Sequence, residues 1–221
     1  MTLITALLLV LINPPIYEKP INISSNTRQN FVLPLQEQHN EVATYEELLN
    51  EAAFSCRGVN PEKIDYQLLE KLIKIESSFK PPASMKGMIL AAACMESKYN
   101  PSAKGDRKFS KDKKTPMAIG ILQQWPVYER RYGTVRTDPE SAAEGWMKHI
   151  VRQIPKVKRM CGYKTDSKIW LAAWVTGVRY KKAGGRCKEV PLHYRLLKRW
   201  HRNIKKQREW KMSCVEDGDG C

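Results

Sequence analysis

An uninterrupted apolar stretch, Met88 to Met95, constrains the fold of this chain more than any other feature. Its sequence, MILAAACM, contains no charged or strongly polar side chain. A helix built from it therefore has no face suited to water, and we expect it to be a buried central helix. Asn100 and Pro101 follow shortly afterwards, and a proline stops a helix and disfavours the helical conformation in the residue before it.

One carboxyl group, that of Glu96, follows the apolar stretch directly. At the end of a buried helix it would lie in a low dielectric, which disfavours the charged form and raises the pKa of the group. A carboxylic acid that stays protonated near neutral pH is suited to act as a general acid. The alternative interpretation is a helix-end glutamate that reaches solvent, and the helix alone does not distinguish the two.

Three short motifs occur in order along the chain. They are Glu-Ser-x-aromatic-Asn-Pro at 96–101, Gly-x-Leu-Gln at 120–123 and Ala-Ala-aromatic-x-x-Gly at 172–177. In this order they resemble the soluble lytic transglycosylase domain of glycoside hydrolase family 23, whose lysozyme-like fold includes the goose-type lysozymes. The resemblance covers residues 65–180. It implies a mostly α, lysozyme-like domain that cleaves the bond between N-acetylmuramic acid and N-acetylglucosamine in peptidoglycan.

The resemblance also implies roles for individual residues. Glu96 matches the single catalytic acid and base, and Ser97 matches the serine that helps to position the site. Leu122 and Gln123 lie in the segment that lines the sugar cleft, with Gln123 binding glycan, and Trp174 would stack on a sugar. In the implied mechanism Glu96 protonates the glycosidic oxygen, and the C6 hydroxyl of the muramoyl sugar attacks its own anomeric carbon. The product is a 1,6-anhydro sugar.

Two of the positions that depart from the family pattern concern the support of Glu96 and the contact with glycan. Trp174 stands where the family has a tyrosine whose hydroxyl supports the catalytic glutamate, and Val175 replaces a glycan-facing asparagine. An indole donates one hydrogen bond and accepts none. The support for Glu96 is therefore rebuilt from another residue or lost.

A similar Glu-Ser-x-aromatic sequence begins at Glu76, about twenty residues earlier. The helix before it is amphipathic, and no Gly-x-Leu-Gln motif follows closely. We therefore interpret residues 68–75 as an ordinary surface helix with its leucines and isoleucines inward. Glu96 is favoured over Glu76 as the catalytic residue.

Three other functions remain open from the sequence. A hydrolysing lysozyme of the same fold needs a second carboxylate about 6.5–9.5 Å from the first, and Asp106 and Asp112 are the candidates for it. A non-catalytic wall-binding protein belongs to another class of function. Nucleic-acid binding is favoured by charge alone, and the features that predict export argue against it.

The charge and the chain ends predict where the protein works. An excess of 38 basic over 23 acidic residues, net +15, suggests an anionic polymer as partner. We divide the chain into a signal peptide at 1–15, a polar linker at 16–43, the catalytic domain at 44–212 and an acidic, cysteine-ending tail at 213–221. A basic amphipathic helix within 179–211 is expected to close the domain with a solvated cationic face. The alternative interpretation is a face that binds anionic envelope polymers beside the peptidoglycan strands. We expect a monomer.

Six cysteines, an even number, suit an oxidising compartment and predict a periplasmic or secreted protein. Their pairing is open, and Cys94 is equally suited to be a buried thiol. No cysteine or histidine spacing predicts a metal site, and no cofactor is expected. The four histidines are scattered, and His149 and His201 are expected at the surface.

Periodicity predicts helices at 44–54, 61–75, 85–97, 139–154 and 167–176, and no strand pattern longer than about four residues appears. The fourth of these would turn Ala143, Trp146, Met147 and Ile150 inward. The fifth would do the same with Ile169, Trp170, Ala173 and Trp174.

Overall fold

The computed structural model describes residues 42–176, residue 187 and residues 192–216, without the side chains of 175, 176 and 214–216. These residues form a mostly α domain with a two-stranded antiparallel sheet, β1 (Lys104–Gly105) and β2 (Ala118–Ile119), which confirms the predicted class. The seven α-helices of the described residues are α1 (Tyr45–Ser55), α2 (Tyr66–Ser78), α3 (Met88–Ser97), α4 (Pro126–Tyr132), α5 (Pro139–Cys161), α6 (Asp166–Thr176) and α7 (Leu192–Glu216). The predicted signal peptide, most of the linker, Gly177 and the side chain of Val175 lie outside the described residues.

Helix α1 begins with a capping box, as the sequence predicts. The hydroxyl of Thr44 accepts a hydrogen bond from the amide of Glu47 at 3.2 Å, and the Glu47 carboxylate accepts one from the amide of Thr44 at 2.8 Å. Two amides that the helix itself leaves unpaired are satisfied in this way.

Helix α2 begins five residues later than predicted. Residues 61–63 form a separate turn of 3-10 helix, and the Asp65 carboxylate then caps α2 by accepting a hydrogen bond from the amide of Leu68 at 3.0 Å. The capping aspartate marks the true start of the helix, because its side chain satisfies an amide of the first turn. Leu69, Leu72 and Ile73 are buried as expected.

The apolar helix α3 is the buried centre of the domain, which confirms the main prediction of the sequence. Every residue from Met88 to Cys94 is buried, and α3 packs against α2 and α7. It begins at Met88 rather than at Met85, because Gly87 has a left-handed backbone with φ of 83°. It ends at Ser97, where Lys98 and Tyr99 also take positive φ values.

The long helix α5 continues to Cys161 and contains Pro155, so the predicted end at Ile154 is wrong. A proline stops a helix only when its missing amide and its ring cannot be accommodated, and here the helix continues through it. The residues predicted to face inward on α5 and α6 are all buried.

Helix α7 lies antiparallel to α1 and carries a row of cations. Arg208 Nε donates to Glu47 at 2.6 Å and Asn203 donates to Glu51 at 2.8 Å, and the pairing with Arg208 lowers the pKa of Glu47 to about 2. Leu197, Trp200 and Ile204 are buried along its inner side. The helix extends to Glu216, so residues 213–216 of the predicted tail are helical, and residues 217–221 lie outside the described part.

Two disulfides fasten the domain. Cys56 at the end of α1 is bonded to Cys94 of α3, and Cys161 at the end of α5 is bonded to Cys187. The alternative of a buried Cys94 thiol is therefore wrong. Both bonds are consistent with an oxidising compartment. Within the described residues, no helix combines the length and the apolar character needed to cross a membrane.

Candidate functional site

Glu96 lies in the last turn of α3, where the buried helix reaches the surface. Its side chain is 39% exposed, so the enclosed, low-dielectric position expected for this carboxyl group is wrong. The continuously buried part of α3 ends at Cys94, because Met95 is already exposed. A buried helix thus presents a carboxyl group to solvent at its end.

The partner of Glu96 is a histidine that comes almost a hundred residues later in the chain. His193, the second residue of α7, has its Nε2 atom 2.8 Å from Oε1 of Glu96. Its side chain is 23% exposed. The sequence analysis missed this residue, and no local pattern could have found it, because the pair forms only when α7 packs on α3.

Trp174 of α6 packs against the ring of this histidine. The indole stacks on the imidazole of His193 with ring centroids 5.8 Å apart and planes inclined by 26°. Trp146 of α5 meets the same indole edge-on at 5.8 Å. Trp174 is buried, so its neighbours are two aromatic rings rather than the open surface on which we expected a sugar to stack.

The pKa of Tyr128 of α4 responds to the charge of Glu96. Burial raises the pKa of the Tyr128 hydroxyl, and the negative charges of Tyr132 and Glu96 raise it further, while Arg131 acts in the opposite direction. Tyr128 also packs against the ring of His149, with centroids 5.2 Å apart. A neutral phenol therefore stands on the side of Glu96 that faces α4.

The two histidines that we expected at the surface are not there. His149 is buried on α5, and its Nδ1 atom lies 2.7 Å from the hydroxyl of Tyr132. His201 is half-buried on α7, with Nε2 3.0 Å from the carbonyl of Lys86, and burial lowers its pKa. A basic stretch of sequence does not reveal which of its members faces the core.

The side chains of Ser97 and Leu122 are buried in this structure. The hydroxyl of Ser97 donates to the carbonyl of Ala93 at 3.1 Å, one turn back in the same helix. Leu122 is buried in the hydrophobic core. Neither side chain makes a polar contact with Glu96.

Gln123 ends the Gly-x-Leu-Gln segment in a tight turn. Its backbone has a positive φ of 46°, and its side-chain amide donates to the carbonyl of Gly120 at 2.9 Å. The amide oxygen packs so closely on Gly105 that a Cβ atom there would lie 2.4 Å from it. The half-buried side chain thus joins this turn to β1.

Gly120 is required by the same turn. Its φ is +80°, and a Cβ atom at this position would lie 2.0 Å from the carbonyl oxygen of Arg136. The Arg136 guanidinium in turn donates to the carbonyls of Met117 and Gln124, at 3.0 Å each. A side chain at position 120 would therefore push apart the two segments that Arg136 fastens.

Each of the two candidate second carboxylates accepts hydrogen bonds from other residues, Asp112 within its own loop and Asp106 from the start of α4. Asp106 accepts a hydrogen bond from the indole of Trp125 at 2.9 Å. Asp112 accepts from the backbone amides of Lys114 and Thr115 and from the hydroxyls of Thr115 and Ser110, which lowers its pKa well below the usual range. A carboxylate with so low a pKa is a weak base for activating water.

The buried carboxyl group of this region belongs to Glu76, not to Glu96. Glu76 is completely buried, and its two oxygens accept hydrogen bonds from the amides of Gly87 and Ile89 at 2.6 and 2.7 Å. Burial raises its pKa to about 7, against the opposing effects of these amides, of the Tyr45 hydroxyl and of Lys86. Glu76 therefore caps the beginning of α3, and the interpretation of its helix as an ordinary surface helix missed this role.

The site that the structure assembles consists of Glu96, His193 and Trp174. Tyr128 is close enough for the charge of Glu96 to raise its pKa. Gln123 and the two aspartates lie in the neighbouring loop region, and no hydrogen bond or ion pair among the described residues joins them to Glu96. No cluster of three or more potential metal ligands occurs in the described part of the chain. Comparison with family models, curated proteins and solved structures found no match to this chain.

Proposed function

We propose that this protein is a peptidoglycan lytic transglycosylase with Glu96 as its sole general acid and base and with a lysozyme-like fold. The observation that carries the proposal is the placement of Glu96. Its carboxyl group is exposed at the end of a buried helix and is held at 2.8 Å by His193. A rigid helix presents the acid, and the exposed fraction leaves room for a glycosidic oxygen to approach.

The reaction needs only one carboxyl group from the protein. Glu96 gives its proton to the glycosidic oxygen as the bond from the muramoyl anomeric carbon breaks. The C6 hydroxyl of the same sugar forms the new bond to that carbon, and its proton returns to the Glu96 carboxylate. The product is a 1,6-anhydro sugar, no water is consumed, and Glu96 ends in its starting state.

Hydrolysis by the same site is the second candidate, and the engagement of Asp112 weighs against that residue as the base. Asp112 accepts hydrogen bonds from four donors on its two oxygens, whereas Asp106 accepts from the Trp125 indole through Oδ2 alone. A water-activating base needs a free carboxylate oxygen at about 6.5–9.5 Å from the acid. Transglycosylation avoids this requirement because the nucleophile belongs to the substrate.

The cationic side of α7 supports a further contact with the envelope. Lys205 is more than two thirds exposed, and Trp210 is also largely exposed near the end of the same helix. Such a surface attracts anionic polymers of the wall, and it is also the observation that would favour a non-catalytic wall-binding protein. We propose that the protein acts in the periplasm or after secretion, in agreement with the two disulfides. We further propose that it is a monomer and that it does not act on nucleic acid.

The test is digestion of purified peptidoglycan with the wild type and with Glu96→Gln, followed by mass spectrometry of the released sugars. Glu144→Gln is the matched control, because Glu144 is a half-exposed glutamate paired with Lys148 on α5. We expect products lighter by one water than reducing sugars from the wild type and the control, and none from Glu96→Gln. Reducing products would establish hydrolysis instead. Wall binding without release of sugar by the wild type would establish the binding protein.

A further inference from the structure

We propose that His193 is the positioning residue of this site, which holds the Glu96 carboxyl group in the orientation needed for catalysis. This inference rests on the proposed function and assigns a role that the resembling family gives to a tyrosine. The direct observation is the 2.8 Å contact between Nε2 of His193 and Oε1 of Glu96. No other hydrogen bond to the Glu96 carboxyl group is formed within the described residues, so this contact sets its orientation.

The tertiary structure fixes the imidazole before any substrate binds. One face of the ring stacks on Trp174, which is itself held edge-on by Trp146. On α7, Leu197 and Trp200 are completely buried one and two turns further on, which anchors the helix that carries His193. Trp174, which cannot accept a hydrogen bond, thus contributes by orienting the histidine that contacts the acid.

An imidazole does more for this carboxyl group than a hydroxyl group does. A ring nitrogen accepts a hydrogen bond in one state and donates it in another, and it exchanges a proton near neutral pH. Protonated Glu96 can donate to Nε2, and ionised Glu96 can accept from an N–H group of the ring. The same contact therefore can hold the carboxyl group before it gives its proton to the glycosidic oxygen and until the C6 hydroxyl returns a proton.

Tyr128 of α4 is a titratable group on a neighbouring element that the charge of Glu96 reaches. Burial raises the pKa of its hydroxyl most, and the charges of Tyr132 and Glu96 raise it further. Tyr128 therefore stays neutral and brings no negative charge to the carboxyl group that His193 holds.

The first experiment measures the kinetics of peptidoglycan cleavage by His193→Ala. We expect kcat to fall about 10- to 100-fold, the value of one hydrogen bond to a charged group, with little change in KM. Added imidazole should restore part of the lost activity, which it would not do if the side chain were only structural. His201→Ala is the matched control, a half-buried histidine two turns along the same helix that bonds to the Lys86 carbonyl instead. It should keep full activity and should not respond to imidazole.

The second measurement is kcat for His193→Gln, compared with His193→Ala. The glutamine amide can both donate to Glu96 and accept from it. We therefore expect His193→Gln to keep more activity than His193→Ala, which a merely structural role of the histidine would not predict.

The outcomes separate the two proposals. If the wild type cleaves peptidoglycan, Glu96→Gln does not, and folded His193→Ala is unchanged, the proposed function stands and the role of His193 is wrong. A higher activity of His193→Ala than of the wild type would also contradict the role of His193, because the histidine would then block access of the substrate to Glu96. A wild type that releases no sugar contradicts the proposed function itself, and the role of His193 falls with it. Thermal unfolding of each variant shows whether it has folded.

Discussion

The same local sequence element occurs at the end of α2 and at the end of α3, and its glutamate has a different role in each place. Glu-Ser-x-aromatic occurs at Glu76, whose carboxyl group caps the beginning of α3, and at Glu96, which ends it. Glu76 is completely buried among backbone amides, whereas the side chain of Glu96 is 39% exposed beside an imidazole. A short motif therefore does not decide the environment of its glutamate, and the elements that pack around it do.

The interactions that hold the two ends of α3 in place also differ. At the beginning of α3 the Glu76 carboxyl group joins α2 to the amides of Gly87 and Ile89. At the other end the Cys56–Cys94 disulfide joins α3 to α1, two residues before Glu96. The disulfide holds the helix without using a polar side chain, so the Glu96 carboxyl group is not needed to hold this end.

The largest effect on stability is expected from Glu76→Ala. The substitution leaves two buried amides without acceptors, at about 1–3 kcal/mol each, and opens a cavity. We expect the free energy of unfolding in urea to fall by about 3–5 kcal/mol. Glu96→Ala is the matched change at the exposed end and should cost less than about 1 kcal/mol. Equal losses for the two variants would contradict the difference drawn between the two ends.

Removal of the Cys56–Cys94 disulfide should come next. The double variant Cys56→Ala and Cys94→Ala loses a bond that closes a loop of 38 residues, and we expect it to lose about 2–4 kcal/mol of stability. Urea unfolding of the wild type with and without a reductant measures both disulfides together, because a reductant also cleaves Cys161–Cys187. An unchanged midpoint in both measurements would show that the disulfide does not fasten the Glu96 end.

The pH dependence of stability should identify Glu76. Its pKa is raised to about 7 in the folded protein from an ordinary 4.5, so the folded state binds more protons than the unfolded state between these values. The free energy of unfolding therefore falls as pH rises through this window, by up to about 1.4 kcal/mol per pH unit. Urea unfolding at several pH values measures it, and the difference between wild type and Glu76→Gln isolates this group from the histidines. Parallel curves for the two proteins would contradict the raised pKa.

The smallest effect is expected from the two matched serines. Ser97 donates to the Ala93 carbonyl and Ser77 to the Lys74 carbonyl, each within its own helix. We expect Ser97→Ala and Ser77→Ala each to change stability by less than about 1 kcal/mol and to leave the rate of peptidoglycan cleavage unchanged. A large loss of cleavage for Ser97→Ala alone would restore the catalytic role that the resemblance implies.

The helices could be predicted from the sequence wherever a local signal was strong. The apolar run of α3, the capping box of α1 and the inward residues of α5 and α6 all follow from neighbouring side chains. The start of α2 and the end of α5 were missed. A capping aspartate decides the first, and a proline tolerated inside the helix decides the second.

The residues of the candidate site also fall into those that a local sequence signal predicts and those that depend on contacts between distant segments. Glu96 could be singled out because it directly follows the apolar run, a relation between neighbours in the chain. His193 could not, because its contact joins residues of α3 and α7 that the chain keeps far apart. The burial of Glu76 and the engagement of Asp112 were likewise invisible, since each depends on which backbone amides the fold brings to the carboxylate.

The sequence by itself determined that a buried helix ends in a glutamate, that the domain is mostly α and that the chain is strongly cationic. Hydrophobicity, capping and charge are properties of neighbouring residues, so they can be read without the fold. The tertiary structure alone decided which carboxyl group is buried, which cysteines pair and which histidine meets Glu96. Those outcomes depend on the distances between segments remote in sequence, and only the packing of α1, α2 and α7 around α3 sets these distances.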